Sequence, residues 1–168
     1  YDANDYQSAR IEVVLETIFD TSTVSLTEKS LRPIATGTPF VLAGPPGSLA
    51  YLKQYGFETF SPWINEDYDL ETDACVRLRM IVAEMSRLSK LSESQFSTLY
   101  EPCQKIADKN RRLFFSSQFQ QAIFDEYRAG MLQARAKSNI DSSLWNLVKH
   151  YHTADQQQFV DHWIKNSS

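Results

Sequence analysis

The stretch SLTEKSLRPIATGTPFVLAG, residues 25–44, decides the fold. Its first half has the pattern of a short helix that begins with a capping-box pair, Ser25 and Glu28, and ends at Gly37, where a left-handed cap is favourable. Its second half, TPFVLAG, is a wholly apolar strand, as expected at the centre of a covered sheet. Residues 9–19, ARIEVVLETIF, have the Ile and Val content of another strand. The order strand, helix, strand predicts parallel pairing through a crossover.

Short elements of the same kind continue to about residue 90. The pattern predicts a helix over residues 48–55, a third short strand over residues 57–60 (FETF) and a long helix over residues 70–88. Glycine and proline then become rare, and helical periodicity dominates. The prediction is therefore an α/β fold. It has a small parallel Rossmann-like sheet with flanking helices in residues 1–90, and a helix-rich C-terminal extension in residues 91–168 that packs on the same domain.

The extension is predicted to hold three or four helices. They cover residues 92–99, 102–115, 117–137 and 142–164, with a break near Thr153. Aromatic residues at helical spacing mark a face that we expect to belong to the core. These residues are Phe114, Phe115, Phe119, Phe124 and Tyr127.

The composition is ordinary for a globular protein, with 42% hydrophobic and 23% charged residues. The formal net charge of −4 argues against a general nucleic-acid binder, and no apolar run approaches the length of about 20 residues that crosses a membrane. Cys75 and Cys103 lie in amphipathic stretches, so we expect two buried free thiols and a reducing, cytoplasmic compartment. Because the chain opens with YDANDYQSAR rather than with Met, we also expect a fragment or a processed product.

Glu28 and Lys29 lie in the first turn of the helix predicted before Gly37, where backbone N–H groups lack helical partners and the helix dipole is positive. A phosphate fits there beside the point charge of Lys29, and Glu28 can accept hydrogen bonds from ribose hydroxyls. Because the helix follows a strand, this turn lies at the carboxyl edge of the sheet, where open α/β sheets bind ligands. The competing interpretation is a plain helix cap with an exposed lysine.

Further candidates come from the same half of the chain. Gly44, Gly47 and Ser48 belong to the turn GPPGS, whose glycines allow a ligand close to the backbone, although a plain turn explains them as well. Glu16, near the carboxyl end of the first strand, faces either solvent or a site. Residues 65–69, NEDYD, offer carboxylates to a metal or a sugar, or to the start of the next helix. The sequence shows no nucleophile with a local activating partner, which argues against a hydrolase.

The series TEK…P…G…P…G resembles the donor-binding half of GT-B glycosyltransferases, and within them the fucosyltransferase type. The resemblance covers roughly residues 10–80 of the chain. The matching positions are Glu16, Thr27, Glu28, Lys29, Pro33, Gly37, Pro39 and Gly44.

This resemblance implies a nucleotide-sugar substrate, such as a GDP- or UDP-sugar, and no cofactor. The glutamate and lysine of TEK contact the ribose and the diphosphate in such enzymes, which assigns these roles to Glu28 and Lys29. Arg32, one turn on from Glu28, is expected to pair with it or to reach a phosphate. No metal is expected, because a helix dipole and basic side chains can stabilise the leaving diphosphate. The catalytic residues stay unassigned, because nothing before Ala9 matches the acceptor half that usually carries the base.

Three hypotheses about function stay open. The first is a donor-binding domain that works with an N-terminal acceptor domain or with another protein. The second is a non-enzymatic interaction module that reuses the fold, and the third is another nucleotide-handling enzyme. Neither a nucleic acid nor a membrane is expected as a partner. Nucleotide binding separates the second hypothesis from the other two.

Overall fold

The fold is built on a β–α–β unit near the N-terminus. The computed structural model describes residues 9–20, 23–24 and 26–137 of the chain. Within them, two strands and five α-helices follow one another as β1 (Glu12–Leu15), α1 (Glu28–Thr36), β2 (Phe40–Ala43), α2 (Ser48–Gln54), α3 (Ala74–Ser89), α4 (Glu93–Phe114) and α5 (Ser117–Lys137). A turn of 3-10 helix, Asp67–Leu70, precedes α3. The protein is therefore α/β, as predicted, and mostly helical.

The two strands lie side by side and run in parallel, with α1 as the crossover between them. Glu12 faces Phe40 and Leu15 faces Ala43 in the register. Every residue of β2 is buried, as its apolar sequence predicts. On β2, the backbone N–H of Leu42 donates to the hydroxyl of the buried Tyr68 at 3.3 Å. Both strands occur where they are predicted, but each is shorter than predicted.

Helix α1 begins and ends through side-chain and glycine caps. Thr27 is the N-cap, and its hydroxyl accepts the backbone N–H of Lys29 at 3.3 Å. The prediction that the capping-box pair Ser25 and Glu28 starts this helix is wrong, because Thr27 takes the cap position; Ser25 itself lies outside the described residues. Gly37 ends the helix with a left-handed φ of 74°, which confirms the predicted stop.

Residues 57–60, predicted as a third strand, are not a strand in this structure. Side chains, and not a neighbouring strand, bind the backbone of Glu58 and the N–H of Phe60. Asn110 accepts the N–H of Glu58 at 2.9 Å and donates to its carbonyl at 2.7 Å. The carboxylate of Glu66 accepts the N–H of Phe60 at 2.6 Å. The apolar pattern FETF therefore reports burial of Phe57 and Phe60 and not membership of the sheet.

Helix α4 is one continuous helix, so the two separate helices predicted on either side of Pro102 are wrong. A capping box of Ser92 and Gln95 starts it. Pro102 removes one backbone hydrogen bond, at a cost of about 3 kcal/mol in a helix interior. The helix continues because its buried face runs past the proline without interruption. That face consists of Leu99, Cys103, Ala107 and Asn110.

The other helices differ less from the predictions. Helix α3 begins at Ala74 rather than at Leu70, because Asp73 caps it by accepting the N–H of Val76 at 2.9 Å. Helix α5 has the predicted bounds. The helix predicted over residues 142–164 lies outside the described residues.

In the sequence, the buried apolar residues of the described part run from Val14 to Phe119, and they form one core. Phe119 packs edge-on against Phe57 with ring centroids 5.1 Å apart, so this part of the predicted aromatic face does belong to the core. Phe114 is partly buried against the same core. The prediction is wrong for Phe115, Phe124 and Tyr127, which are exposed.

Cys103 is buried and Cys75 is exposed, and both are free thiols, so the prediction of two buried thiols holds for Cys103 alone. Burial raises the pKa of the Cys103 thiol to about 11. The chain divides into two compact units, Tyr1–Ala122 and Ile123–Ser168, so α4 belongs to the same unit as the sheet. No helix among the described residues has the length and apolar character that a membrane span needs.

Candidate functional site

The carboxyl ends of β1 and β2 bring two of the predicted site residues side by side. The N–H of Glu16 donates to the carbonyl of Ala43 at 2.9 Å and so extends the strand pairing by one step. Gly44 follows directly on the neighbouring strand. A Cβ atom on Gly44 would lie 2.9 Å from Oγ of Ser48 and 3.7 Å from Cγ of Glu16. A side chain at position 44 would therefore have to displace the hydroxyl of Ser48, and Glu16, Gly44 and Ser48 form one closely packed group.

Glu16 is buried and accepts three hydrogen bonds from the start of α1. Its Oε1 accepts the backbone N–H of Thr27 at 3.0 Å and the hydroxyl of Ser30 at 2.5 Å. Its Oε2 accepts the hydroxyl of Thr27 at 2.7 Å. The carboxylate thus ties the first turn of the helix to the end of β1, and it fixes the position of the turn that carries Glu28 and Lys29.

The surroundings of Glu16 keep this carboxylate charged. Burial works to raise its pKa, but the hydrogen bonds from Ser30 and Thr27 and the positive charge of Lys29 outweigh burial and lower the pKa below the ordinary value. The group is therefore ionised at neutral pH. Because its oxygens already accept hydrogen bonds from α1, its chemistry here is that of an anchor for the helix.

Glu28 and Lys29 present an exposed pair of opposite charges on this anchored turn. Nζ of Lys29 lies 2.9 Å from Oε1 of Glu28, and the two side chains are 37% and 80% exposed, respectively. The hydrogen bond from Lys29 lowers the pKa of Glu28. An exposed ion pair of this kind contributes little to stability. Glu28 and Lys29 can therefore separate and bind a ligand instead at a small cost in free energy.

Arg32 lies on α1 but is not brought to this group. Its guanidinium pairs with the carboxylate of Glu12, the residue that begins β1. Glu12 lies at the opposite end of the strand from Glu16, and burial raises its pKa. The structure therefore directs Arg32 toward the amino edge of the sheet and away from the predicted site.

The GPPGS turn is held from within the protein. Gly47 adopts a left-handed φ of 82°, and its N–H donates to the carbonyl of Asp69 at 2.8 Å. The carboxylate of Asp69 accepts the N–H groups of Leu49 and Ala50 at 2.9 and 3.2 Å and so caps α2. The hydroxyl of Ser48 is buried and donates to a backbone carbonyl in the same turn at 2.6 Å. In the NEDYD segment, Asp69 is thus a cap for the neighbouring helix.

Arg77 was missed by the sequence analysis. It is 1% exposed, and its Nε donates to the carbonyl of Gly44 at 3.2 Å. Its Nη1 donates to the carbonyls of Glu71 and Thr72 at 2.8 and 3.4 Å, and its Nη2 donates to the carbonyl of Phe19. The guanidinium also stacks over the ring of Phe19, 4.3 Å from the centroid. An arginine in the first turns of a helix is normally exposed, so the sequence carries no signal of this role.

The described residues contain no group of three or more His, Cys, Asp or Glu side chains that could hold a metal ion. His150, His152 and His162 lie outside the part that the structure describes. Comparison of the chain with protein-family models, with curated proteins and with solved structures finds no match. The resemblance to fucosyltransferase-type enzymes thus stays a prediction that rests on the matching residues alone.

Proposed function

We propose that this chain binds the nucleotide-sugar donor of a metal-independent glycosyltransferase, at the carboxyl edge of its β–α–β unit. The observation that carries the proposal is the exposed pair of Glu28 and Lys29 on the first turn of α1, held in place by the buried Glu16. Helix termini at this edge are where α/β proteins bind phosphates.

The diphosphate and the ribose of the donor each have a group of suitable chemistry on this turn. Lys29 supplies a positive point charge to the diphosphate, next to the positive end of the helix dipole. Glu28 is ionised and exposed, so it accepts hydrogen bonds from the ribose hydroxyls.

The architecture supports this proposal at a coarser level. A strand, a crossover helix and a parallel strand are the repeating unit of a Rossmann-like sheet, and the described residues contain one such unit. Sugar transfer also needs a site for the acceptor and a base, and no group in the described part of the chain is assigned either role. We propose that a second domain or a partner protein supplies both.

A second candidate function is a protein-interaction module that binds no nucleotide. The observation in its favour is a row of exposed apolar side chains on α3, at positions 78, 82 and 85, which follow helical spacing. Leu78 and Val82 are 50% and 55% exposed. Exposed apolar rows of this kind are common at protein–protein contacts.

A thermal-shift experiment separates the two functions. The chain is heated alone and with a panel of nucleoside diphosphates and nucleotide sugars. A ligand at about 100 times its dissociation constant adds roughly 2.7 kcal/mol to the free energy of unfolding, which corresponds to several degrees in a chain of this size. We expect such a shift for one base in preference to the others.

Two lysine variants locate the site. Lys29→Ala removes the proposed phosphate contact, and Lys105→Ala is the matched control, because Lys105 is likewise an exposed helical lysine paired with a glutamate, Glu101, at 2.8 Å. We expect the nucleotide shift to shrink in Lys29→Ala and to persist in Lys105→Ala. Equal losses in both variants would place the site elsewhere, and no shift with any nucleotide would favour the interaction module.

A further inference from the structure

Arg77 connects three backbone segments at the carboxyl edge of the sheet. Its guanidinium donates to Phe19 in the loop after β1, to Gly44 in the turn after β2, and to Glu71 and Thr72 at the entry to α3. The first two of these segments flank the proposed donor site.

In the described part of the chain, the guanidinium of Arg77 has no carboxylate partner. Among the described residues, all four hydrogen bonds of Arg77 go to backbone carbonyls, and it takes part in no ion pair. Burial of an arginine costs free energy that carbonyl dipoles offset only in part, so a shorter apolar side chain would serve packing alone at lower cost. The planar fork of arginine can reach carbonyls on separate segments at once, whereas the ammonium of lysine donates from a single point.

We propose that Arg77 is the positioning residue of the donor site: it holds the loop after β1 and the Gly44 turn in the arrangement that receives the diphosphate. Arg77 acts through these loops and through the positive potential of its buried charge, whereas Lys29 makes the direct contact. The inference rests on the proposed function, because it assigns to Arg77 a role in binding the same anionic ligand.

Two measurements on the full chain test this role. The first is amide hydrogen exchange at residues 17–20 and at Gly44, Gly47 and Ser48, with the amides of β2 as the reference for an intact core. The second is the affinity for GDP, UDP and inorganic pyrophosphate, measured by calorimetry. The variants are Arg77→Gln and Arg77→Lys. Arg87→Gln is the matched control, because Arg87 lies on the same helix and also donates to a backbone carbonyl, that of Trp63, at 2.9 Å.

We expect Arg77→Gln to exchange faster at both loops while β2 stays protected, and to bind the diphosphate at least about tenfold more weakly, the loss that accompanies one charge-assisted interaction. Arg77→Lys restores part of the affinity because it restores the charge, and Arg87→Gln matches the wild type in both measurements. If Arg77→Gln does not fold, the same two changes, smaller in size, are expected in Arg77→Lys.

The failures are distinguishable. Unchanged exchange at the loops in both Arg77 variants would overturn the positioning role, whatever the affinity. Faster exchange with unchanged diphosphate affinity would also overturn it, because Arg77 would then only stabilise the fold. A wild-type chain that binds none of the three anions would overturn the proposed function itself, and with it this inference, before any variant is compared.

Discussion

At the scale of single residues, Glu16 and Asn110 satisfy backbone groups that neither a helix nor the sheet reaches. Glu16 accepts the N–H and the hydroxyl of Thr27, and Asn110 exchanges two hydrogen bonds with the backbone of Glu58. A buried group that loses such a partner retains its full desolvation cost. Stability should therefore depend on these two side chains more than on the exposed ion pairs.

Replacement of Glu16 by glutamine should destabilise the protein by about 1–3 kcal/mol at pH 7, because the charged acceptor of three hydrogen bonds becomes an amide with one acceptor oxygen. Urea unfolding measures the change. Glu101→Gln is the control, because Glu101 is exposed and its pair with Lys105 should contribute little to stability. Equal losses in the two variants would contradict the anchoring role of Glu16.

The same variant predicts a dependence on pH. Folding lowers the pKa of Glu16, so its contribution is complete above the unfolded-state pKa of about 4.3 and is lost as the pH falls through the folded-state value. The difference in unfolding free energy between wild type and Glu16→Gln should therefore shrink as the pH falls below about 4.3. A difference that stays constant between pH 7 and pH 3 would show that the charge of Glu16 is not what stabilises the turn.

Asn110→Ala should destabilise the protein by about 2 kcal/mol, because it removes both hydrogen bonds that the buried side chain of Asn110 makes to the backbone of Glu58. Chemical denaturation gives the value. Asn65→Ala provides the comparison: Asn65 is exposed, and its side chain accepts one local hydrogen bond, from the N–H of Asp67 at 2.8 Å. We expect a clearly smaller loss of unfolding free energy for Asn65→Ala. The reverse order would contradict the role of Asn110 as the hydrogen-bond partner of the Glu58 backbone.

At the scale of elements, local sequence signals were enough to predict the β–α–β unit. Tertiary contacts determine the structure of residues 57–60 and the continuity of α4. The end of α1 at Gly37 could be predicted because a left-handed cap is a property of the glycine itself. The prediction of a third strand at 57–60 was wrong because side chains, and not a neighbouring strand, bind its backbone; one of them, Asn110, is 52 residues away from Glu58 in the sequence. The break at Pro102 was wrong because the buried face of α4 continues past it. Glu16 was identified as a candidate, but its anchoring role depends on contacts that only the fold creates.

Substitution of the cap of α1 tests the element that carries the proposed site. Gly37→Val should destabilise the protein by at least about 1 kcal/mol, because a β-branched residue is disfavoured at φ 74° and its Cβ would lie 3.2 Å from Cδ of Arg111. Gly130→Ala is the matched control within a helix, because, apart from the neighbouring backbone of that helix, no atom of the described residues lies within 4 Å of the added Cβ. It should be neutral or stabilising by up to about 1 kcal/mol. An unchanged melting temperature for Gly37→Val would contradict the left-handed cap.

At the scale of the whole molecule, the proposed site and the core belong to the same unit. The first unit is Tyr1–Ala122, and the buried apolar side chains of the described residues all precede Ala122. The exposed Glu28 and Lys29 and the buried Glu16 and Arg77 lie within it as well. We therefore expect residues of this unit to determine both the folding of the core and the binding of the donor.

A shortened chain tests that expectation. Residues 1–130 keep the first unit and two further turns of α5 beyond Ala122, so that Phe119 stays within a helix. Because the buried core is retained, we expect one cooperative urea transition, with an unfolding free energy within about 1 kcal/mol of that of the full chain. Trp63, which packs against the core, is then the only tryptophan left and reports this transition by fluorescence. The nucleotide-dependent shift should persist in the shortened chain. A broad transition, or a shift lost together with residues 131–168, would mean that the second unit contributes to the core or to the site.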